Sequence, residues 1–214
     1  MGHAGMAAAA VRYLRSAGAP TVAGPVEALP RPDLRAVRED ERAPVDPARF
    51  RHVLGHFATG VTVVTAPAPD AETEDPAGPA GPAGFACQSF ASLSLDPPLV
   101  CFMVGRTSTT WPRIARAGVF CVNVLGAHQG DLCRGFAVSG TDKFAGVAYD
   151  AAPVSGSPRL AGAAAWVDCT VHAVHTGGDH LIVVGRVDAL GASGDAEDGE
   201  DVPPLLFHRG RFLA

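Results

Sequence analysis

The sequence predicts a mainly β fold, an antiparallel barrel with a few short helices attached at its sides. Segments rich in β-branched and aromatic residues recur along most of the chain, and several follow one another with only a turn between them. The segments with helical periodicity are short and too few to separate every pair of strands. A parallel sheet would need a crossover helix between successive strands, so the pattern favours antiparallel pairing.

Length and composition indicate one globular domain. The chain has 214 residues, of which 47% are hydrophobic and 18% are charged, enough to build a core without disulfides or metal ions. Its 17 basic residues against 22 acidic ones give a net charge of −5 at pH 7. A chain with this charge has no basic field to attract nucleic-acid phosphates or anionic lipids. We therefore expect neither a nucleic-acid partner nor a membrane partner.

The five cysteines indicate a reducing compartment. They are odd in number, lie in mostly apolar segments and form no CxxC pair, which is typical of buried free thiols rather than of disulfides or zinc sites. No segment has the ~20 consecutive apolar residues of a membrane-spanning helix, and the short apolar run near the N-terminus lacks a cleavage site. We therefore expect a cytoplasmic protein.

The chain divides into an extension and one domain. Residues 1–45 combine an alanine-rich patch with prolines and charges and lack hydrophobic periodicity, so we expect a poorly ordered N-terminal extension. The domain is predicted to span residues 46–214. It begins with a helix, for which Asp46 is the expected N-cap and Pro47 the first helical residue. The apolar residues at helical spacing in this segment are Phe50, Val53, Leu54 and Phe57.

The first predicted strands lie on either side of a proline-rich loop. Residues 60–65 are β-branched and predict a strand, while residues 67–84 contain five prolines around an acidic patch and predict a long mobile loop. Residues 85–95 and 99–104 predict two more strands. The Asp-Pro-Pro turn at residues 96–98 indicates that these two strands are neighbours.

Two short helices and one strand are predicted in the middle of the chain. Thr110 is expected to cap a helix that ends at about Ala117, because Gly118 follows it. Residues 119–125 predict a strand, and a second helix is expected at about residues 128–136.

The C-terminal part of the chain predicts a hairpin and a terminal strand pair. Residues 163–174 and 181–190 flank a glycine-rich turn at residues 176–180, which is typical of a β-hairpin. Residues 191–201 are acidic and predict another loop. Residues 205–212 are expected to close the sheet as a short strand pair, which brings the expected total to six or seven strands.

Common catalytic and nucleotide-binding motifs are absent from the sequence. There is no G-x-G-x-x-G after a predicted strand, no Walker loop and no G-x-S-x-G, which argues against a Rossmann site, a P-loop and a serine hydrolase. His52 and His56 have a metal-like spacing but no third ligand, and His172 and His175 point to opposite faces of a predicted strand. We therefore expect no metal site.

Hydroxyl side chains are concentrated in two places. Ser89, Ser92 and Ser94 lie along a predicted strand, and the Thr-Ser-Thr-Thr run at residues 107–110 stands just before a helix. Short hydroxyl side chains with free amides at a helix start can bind phosphate without a basic patch. Strand alternation and helix capping explain the same residues without a ligand, so both interpretations stay open on the residues alone.

His180 and Lys143 are two further candidates. His180 follows a Gly-Gly-Asp turn, where a hairpin would present it at the rim of a barrel. Lys143 stands in a loop between Asp142 and Phe144 and is a candidate counter-charge for phosphate. A solvated turn histidine and a surface lysine are the alternative interpretations.

Four segments, in matching order and spacing, resemble the flavin reductase-like family with an FMN-binding split barrel. They are GVTVVT at residues 60–65, SFASLSLDPPLV at residues 89–100, FCVNVL at residues 120–125, and GDH at residues 178–180 followed by VGRV at residues 184–187. The serine-rich strand that runs into Leu-Asp-Pro-Pro is the most specific of them. The resemblance spans roughly residues 46–213 and implies an antiparallel, Greek-key-like split β-barrel with short helices at its sides.

The resemblance also implies a function. Family members of this short type reduce FMN or FAD with NADH or NADPH by hydride transfer and supply the reduced flavin to a separate monooxygenase. It further implies a homodimer in which each flavin lies near the subunit contact. The alternative is a flavin-binding protein with a storage role or another redox role and no NAD(P)H turnover. A small barrel that only mediates protein interactions would leave the hydroxyl clusters without a role.

The flavin-contacting residues that the resemblance implies lie in four segments. Those beside the isoalloxazine ring are Thr62, Val63, Val64 and Thr65. Those at the ring and the ribityl chain are Ala86, Cys87, Gln88, Ser89 and Ser92. Those at the phosphate are Thr107, Ser108, Thr109 and Lys143. Ala86 and the Cys87-Gln88 pair depart from the threonine and the small-Asn or small-Ser pair common in relatives.

Two histidines complete the implied site. His180 would face the nicotinamide side of the flavin and is the implied catalytic residue, with a role in substrate placement or charge balance rather than obligatory proton transfer. His208 stands where relatives often have Tyr or His, in the segment of residues 206–210 that would help to cover the bound dinucleotide.

Overall fold

The computed structural model of the protein describes residues 45–69, 81–140, 142–195 and 201–213. The expected N-terminal extension, apart from its last residue, and most of the proline-rich loop at residues 67–84 lie outside the described residues. Residues 196–200 of the acidic loop lie outside them as well. In the part of the chain that is described, no helix is both long and apolar enough to cross a membrane.

The described residues form three short α-helices: α1 (Pro47–Leu54), α2 (Trp111–Ala117) and α3 (Gly130–Ala137). The Asp46 carboxylate accepts the backbone N–H groups of Ala48 (3.3 Å) and Arg49 (3.1 Å), which confirms Asp46 as the N-cap of α1. Gly118 ends α2 with a φ of 68°, the left-handed conformation that favours glycine. All three helices therefore lie close to where the sequence predicts them.

Twelve strands form three sheets in the described residues. They are β1 (Thr59–Gly60), β2 (Thr62–Ala66), β3 (Ala83–Cys87), β4 (Ala91–Leu95), β5 (Pro98–Gly105), β6 (Val119–Val124), β7 (Tyr149–Ala151), β8 (Pro158–Leu160), β9 (Ala165–Gly177), β10 (His180–Ala192), β11 (Leu206–His208) and β12 (Arg211–Leu213). The main sheet has seven strands in the order β3-β2-β6-β9-β10-β5-β4, and all its pairings are antiparallel. This confirms the mainly β, antiparallel fold class.

The main sheet curls so that an edge strand approaches the opposite end of the sheet. Residues 88–90 connect edge strand β3 to the other edge strand, β4. Within this connection, the Ser89 hydroxyl accepts the backbone N–H of Met103 on β5 and donates to the carbonyl oxygen of the same residue, both at 3.0 Å. One side chain thus links the end of β3 to β5, two strands that do not pair with each other.

Two segments differ from the sequence-based expectation. Residues 85–95 do not form one strand, because the chain leaves one edge of the sheet after β3, which pairs with β2, and rejoins the other edge as β4, which pairs with β5. The terminal strands do not close the main sheet. Instead β11 pairs with both β1 and β12 in a separate three-stranded sheet, and β7 pairs with β8 alone.

Strand β2 is buried on both faces and separates two parts of the core. On one face, Val64 packs with Phe102 and Phe120, whose rings meet edge to face with centroids 5.2 Å apart. On the other face, Val63 packs with Phe136 of α3 and with residues next to the terminal sheet. A central strand with apolar contacts on both sides provides a rigid backing for the surface groups that its neighbours present.

The predicted hairpin is confirmed and has a shorter turn than expected. Strands β9 and β10 are joined by Gly178 and Asp179 alone, and Gly178 has a φ of 67°, which a tight hairpin turn requires. His180, the first residue of β10, pairs with Gly177 of β9 and with Gly105 of β5. This register fixes His180 beside the end of β5.

Candidate functional site

A cleft of about 690 Å³ lies where the ends of several elements meet. Its walls come from the end of β3 and the residues after it, the end of β5 with the loop that leads to α2, the end of α3, and the β11–β12 hairpin. The β9–β10 hairpin contributes His180 to its lining. The volume lies within the range of small-molecule and cofactor sites, so this cleft is the candidate functional site.

The segment after β3 gives the cleft neutral polar groups. Ala86, Cys87, Gln88 and Ser89 all line it. Cys87 is 5% exposed, and its Sγ lies 3.3 Å from the Ser89 hydroxyl. Burial raises the pKa of the Cys87 thiol, so the thiol is protonated at neutral pH and is not an activated nucleophile. This wall can therefore bind a ligand through hydrogen bonds and van der Waals contact, and not through covalent attack.

The loop between β5 and α2 gives the cleft a row of hydroxyl groups. Thr107, Ser108 and Thr109 line it, together with Thr110. The Ser108 hydroxyl accepts the backbone N–H of Trp111 at 3.2 Å, which leaves its own O–H to donate. Ser108, and not the expected Thr110, therefore caps the start of α2 with its side chain.

Lys143 is the only lysine of the chain, and its ammonium group lies at the same end of the cleft. Its Nζ donates to the carbonyl oxygens of Gly84 (3.2 Å) and Phe136 (3.0 Å). An ammonium has three N–H groups, so one is left for a ligand. Partial burial lowers the pKa of Lys143 because it disfavours the charged form. A half-buried ammonium that two carbonyls hold in place is suited to bind an anion, unlike a mobile lysine on the protein surface.

His180 lies at a different part of the cleft lining and is oriented by its neighbour. Its Nδ1 is 2.7 Å from Oδ1 of Asp179. An ionised carboxylate only accepts hydrogen bonds, so Nδ1 carries the proton, and this hydrogen bond lowers the pKa of Asp179. The other ring nitrogen, Nε2, lies 4.0 Å from the position that a Cβ on Gly105 would occupy. Nε2 is therefore directed toward the end of β5 and the hydroxyl loop.

Most of the predicted site residues meet in this one cleft. Those that line it are Ala86, Cys87, Gln88, Ser89, Thr107, Ser108, Thr109, Lys143 and His180. The hydroxyl run and Lys143 share one end, as a phosphate site would require. Since these residues are up to 94 positions apart in sequence, from Ala86 to His180, the fold brings them together.

The β2 side chains do not line the cleft, although the resemblance implies a place beside the flavin ring for this strand. The side chains of Thr62, Val63, Val64 and Thr65 are all at most 4% exposed and do not line it. The two hydroxyls are used inside the protein: Thr62 donates to the carbonyl of Cys87 at 2.8 Å, and Thr65 donates to that of Pro158. Strand β2 thus supports the cleft from behind, and Val61 is the residue of this segment that lines it.

Ser92 and His208 also lie outside the cleft. Ser92 is exposed on edge strand β4, where it pairs with Val100. His208 lies on the opposite side of β11 from Phe207, and its ring centroid is 6.2 Å from that of His56.

His52 is stacked edge-on against His56, yet no group of three or more His, Cys, Asp or Glu side chains in the described ranges is arranged to hold a metal ion.

The apolar wall of the cleft is not among the features predicted from the sequence. The large apolar side chains in this wall are Val61, Phe85, Met103, Val104, Phe136, Phe207 and Phe212. The rings of Phe207 and Phe212 meet edge to face across the β11–β12 pair with centroids 5.4 Å apart. Side-chain alternation along β11 could have predicted part of this wall. A strand that directs Phe207 to one side must direct His208 to the other.

The comparison with known protein families decides the family of the chain. Residues 54–214 match the model of the flavin reductase like domain, which covers most of the sequence. The chain belongs to the flavin reductase-like family. This confirms the resemblance that the four sequence segments indicate.

Individual relatives and solved structures agree with this family. The chain is 46% identical over 168 residues to the reductase subunit HsaB of a flavin-dependent monooxygenase from Rhodococcus jostii RHA1, which covers 78% of this chain and 77% of that protein. It is 44% identical over 178 residues to a flavin reductase from Pseudomonas putida, covering 83% and 95%. Its fold is similar to that of the Streptomyces globisporus NADH:FAD oxidoreductase SgcE6 in complex with NAD and FAD fragments, with a TM-score of 0.67, 35% identity, and coverage of 81% and 96%. The fold is therefore the split barrel of this family.

The cleft has the chemistry that a flavin needs. Its apolar wall, which includes the paired rings of Phe207 and Phe212, suits a flat aromatic ring system. The hydroxyl loop and the Lys143 ammonium suit a phosphate at one end. Thiol, amide and hydroxyl groups between these two regions suit the polar chain that joins ring and phosphate. The residues present thus fit the ligand of a flavin reductase-like protein.

Proposed function

We propose that this protein is an NAD(P)H-dependent flavin reductase that reduces FMN or FAD and supplies the reduced flavin to a separate monooxygenase. One observation carries the proposal: a single cleft has phosphate-binding groups at one end, an apolar wall, and an oriented histidine at its rim. Membership of the flavin reductase-like family supports it independently. Relatives named as a flavin reductase and as a reductase subunit of a monooxygenase agree with it.

In this proposal, the Lys143 end of the cleft anchors the flavin. The Ser108 and Thr109 hydroxyls donate hydrogen bonds to its phosphate, and the Lys143 ammonium balances the phosphate charge. Ser89 is already held by two bonds to Met103, so the backbone around it is fixed before any ligand binds. A site that is ordered in advance binds its ligand with less entropic cost.

The chain's contribution to the reaction is placement of the reactants. A bound flavin supplies the redox chemistry, because its ring accepts a hydride from the nicotinamide of NADH or NADPH. No protein acid or base has to take part in that transfer, so the cleft must hold two rings face to face and keep water from between them. Phe207 and Phe212 supply apolar surface for this purpose.

His180 is assigned to placement of the nicotinamide dinucleotide. Asp179 holds Nδ1, which fixes the tautomer and leaves Nε2 directed into the cleft. The backbone N–H of Arg106 donates to the carbonyl of Asp179 at 3.0 Å, which fastens the hairpin turn to the loop after β5. Asp179 therefore orients the imidazole from a turn that is itself fastened, and Nε2 can bind or balance charge on the second reactant.

We also propose that the protein is a homodimer. Phe50, Val53 and Leu54 of α1 and Phe57, which follows the helix, are each more than half exposed. Four large, exposed apolar side chains so close together in sequence are typical of an interaction surface, and a second copy of the chain is the proposed occupant. Light scattering should give twice the chain mass of 21.9 kDa, and replacing both phenylalanines with glutamate should halve it. A wild-type monomer at micromolar concentration would contradict this.

A cytoplasmic location is part of the proposal. All five cysteines are free thiols, and four of them are buried. Free buried thiols agree with a reducing compartment.

Anaerobic mixing of the protein with flavin and NADH or NADPH tests the proposed activity. A catalytic amount of protein should bleach the absorption band of excess FMN or FAD, because each reduced flavin leaves and another binds. A protein that binds flavin but bleaches it with neither nucleotide would instead be a flavin-binding protein with a storage role. A protein that binds no flavin would contradict both functions.

A further inference from the structure

A second cavity of about 480 Å³ adjoins the phosphate end of the flavin cleft. The two share four lining residues, Thr109, Thr110, Ser139 and Lys143. The half-buried ammonium and the hydroxyls that would bind the flavin phosphate therefore also form the entrance to this adjoining cavity. A ligand that continues beyond its first phosphate would pass directly into it.

The adjoining cavity also carries groups of a different kind. Asp142 lines it, and its Oδ1 accepts the backbone N–H of Phe144 at 3.1 Å. A carboxylate has a second oxygen with which to accept hydrogen bonds, and hydroxyl groups are its natural donors. Phe144 also lines the cavity, and its ring is fixed edge-on between those of Phe136 (5.1 Å) and Tyr149 (5.5 Å).

Arg113 supplies a planar cation to the same cavity. Its guanidinium donates to the carbonyl oxygens of Gly81 and Pro82, and partial burial lowers its pKa without removing its charge. A guanidinium has five N–H donors and a flat face on which an aromatic base stacks. The cavity thus combines the Lys143 ammonium at its entrance with a second cation, an acceptor for hydroxyl groups, and flat surfaces.

We infer that the adjoining cavity binds the adenosine monophosphate half of FAD, so that FAD is the preferred flavin of this protein. The inference rests on the proposed reductase function and names its substrate. FMN ends at its phosphate, whereas FAD continues through a second phosphate to a ribose and an adenine. The second phosphate meets Lys143 and Ser139 at the entrance, the ribose hydroxyls donate to Asp142, and the adenine lies against Arg113 or Phe144.

An adenosine phosphate group also occurs in NADH, and the geometry favours FAD as its source. The nicotinamide ring belongs beside His180, which lines the flavin cleft but not the adjoining cavity. The flavin phosphate, in contrast, lies at the shared entrance. The adenosine half of FAD therefore continues from the shared entrance through its own diphosphate. Carboxylates accept hydrogen bonds from ribose hydroxyls in dinucleotide sites of other folds as well.

The Asp142→Asn variant tests the inference through binding alone. Asparagine keeps an oxygen for the Phe144 N–H and replaces the other acceptor with a donor, so the fold is retained while the bond to the ribose is lost. Fluorescence titration of the wild type should give a Kd for FAD at least tenfold lower than for FMN. The variant should lose about tenfold in FAD affinity and less than twofold in FMN affinity. FMN and FAD each carry about two negative charges, so the loss of electrostatic repulsion on removing a carboxylate changes both Kd values alike and cancels in the ratio of the two.

A matched control and a competitor sharpen the result. Asp150→Asn removes an exposed carboxylate that lines neither cavity and should leave both Kd values unchanged. Free AMP should compete with FAD and not with FMN. Equal affinity for the two flavins, or an unchanged ratio in Asp142→Asn, would overturn the inference while leaving the reductase proposal intact. A second result would also overturn the inference: a raised KM for NADH in Asp142→Asn at saturating FMN, with an unchanged ratio of the Kd values for FMN and FAD. That result would assign the cavity to the nicotinamide dinucleotide.

Discussion

The Lys143 end and the His180 part of the cleft are held in place by different means. Lys143 is half-buried, and its ammonium is fixed by two backbone carbonyls next to a loop of hydroxyl groups. The His180 side chain is 49% exposed and is oriented by Asp179, whose own side chain is 94% exposed. One region is ordered by buried backbone groups, and the other by a single contact at the surface.

This difference suits two reactants that behave differently. A preordered cationic site binds a phosphate with little loss of conformational entropy, which suits the anchored flavin. An exposed histidine on a hairpin admits and releases its ligand without opening the core, which suits the nicotinamide dinucleotide. The comparison leads to a specific expectation: changes at Lys143 act on flavin binding, and changes at His180 act on use of the dinucleotide.

The largest expected effect on the use of the dinucleotide follows from His180→Ala. Loss of the imidazole misplaces the nicotinamide, and a displacement of about 1 Å costs about a hundredfold in rate, so kcat/KM for NADH or NADPH should fall by up to about 100-fold. Flavin affinity should stay within about twofold, because the phosphate contacts are independent of this residue. Stopped-flow reduction and flavin titration measure the two quantities. His175→Ala, on the same hairpin and outside the cleft lining, is the control. Equal losses in both quantities, or none in either, would remove His180 from the site.

Lys143→Met should act on flavin binding. Removal of a charged hydrogen-bond donor costs about 1.5–3 kcal/mol, which corresponds to a rise of about 10- to 150-fold in the Kd for FMN. Riboflavin lacks the phosphate and is the control ligand, so its Kd should be the same for wild type and variant. If riboflavin binding weakens equally, Lys143 supports the fold of the cleft and does not bind the phosphate.

Replacing Ser108 and Thr109 together with alanine should also weaken flavin binding at the same end of the cleft. Each hydroxyl contributes one hydrogen bond to a charged group, so the Kd for flavin should rise at least tenfold, or about 1.4 kcal/mol. Ser108 also caps α2, and losing the cap should lower Tm by about 2–4 °C, for a cost of about 1 kcal/mol. Ser92→Ala, which removes an exposed hydroxyl outside the cleft, should change neither value. Unchanged flavin affinity in the double variant would place the phosphate elsewhere.

The pH dependence of FMN binding should show the smallest effect. Burial lowers the pKa of Lys143, so the free protein loses this charge at a lower pH than an ordinary lysine would. FMN affinity should therefore fall as the pH rises through the alkaline range, and its loss should not exceed that of Lys143→Met. Lys143→Arg keeps its charge at every accessible pH and should abolish the fall. A fall of equal size in that variant would assign the titration to another group.

The sequence predicts the fold well where short-range signals determine it. The Asp46 cap, the Gly118 helix end and the Gly178-Asp179 turn each follow from local backbone chemistry, and each is present in the structure. The break of residues 85–95 into two strands could not be predicted in this way. It depends on which sheet edge each half joins, and that is a long-range property of the curled sheet.

The candidate site was predictable to a similar degree and for similar reasons. The hydroxyl run at residues 107–110 has no apolar residue to bury, so it had to remain near the surface. Strand β2 has the opposite character, because Val63 and Val64 are adjacent and point to opposite faces. Apolar residues on both faces indicate a strand buried on both sides, which excludes contact of its side chains with a ligand. His208 and Phe207 differ by one position, and only the register of the terminal sheet decides which of them faces the cleft.

A double-mutant cycle tests most directly whether the two regions have separate roles. Flavin Kd and the rate of flavin reduction by NADH at saturating flavin are measured anaerobically for the wild type, His180→Ala, Lys143→Met and the combined variant. We expect the combined variant to have the flavin Kd of Lys143→Met and the reduction rate of His180→Ala, with no coupling between the two substitutions. A loss in both quantities in either single variant, or strong coupling in the combined one, would contradict the division of the cleft into an anchoring end and an exchanging one.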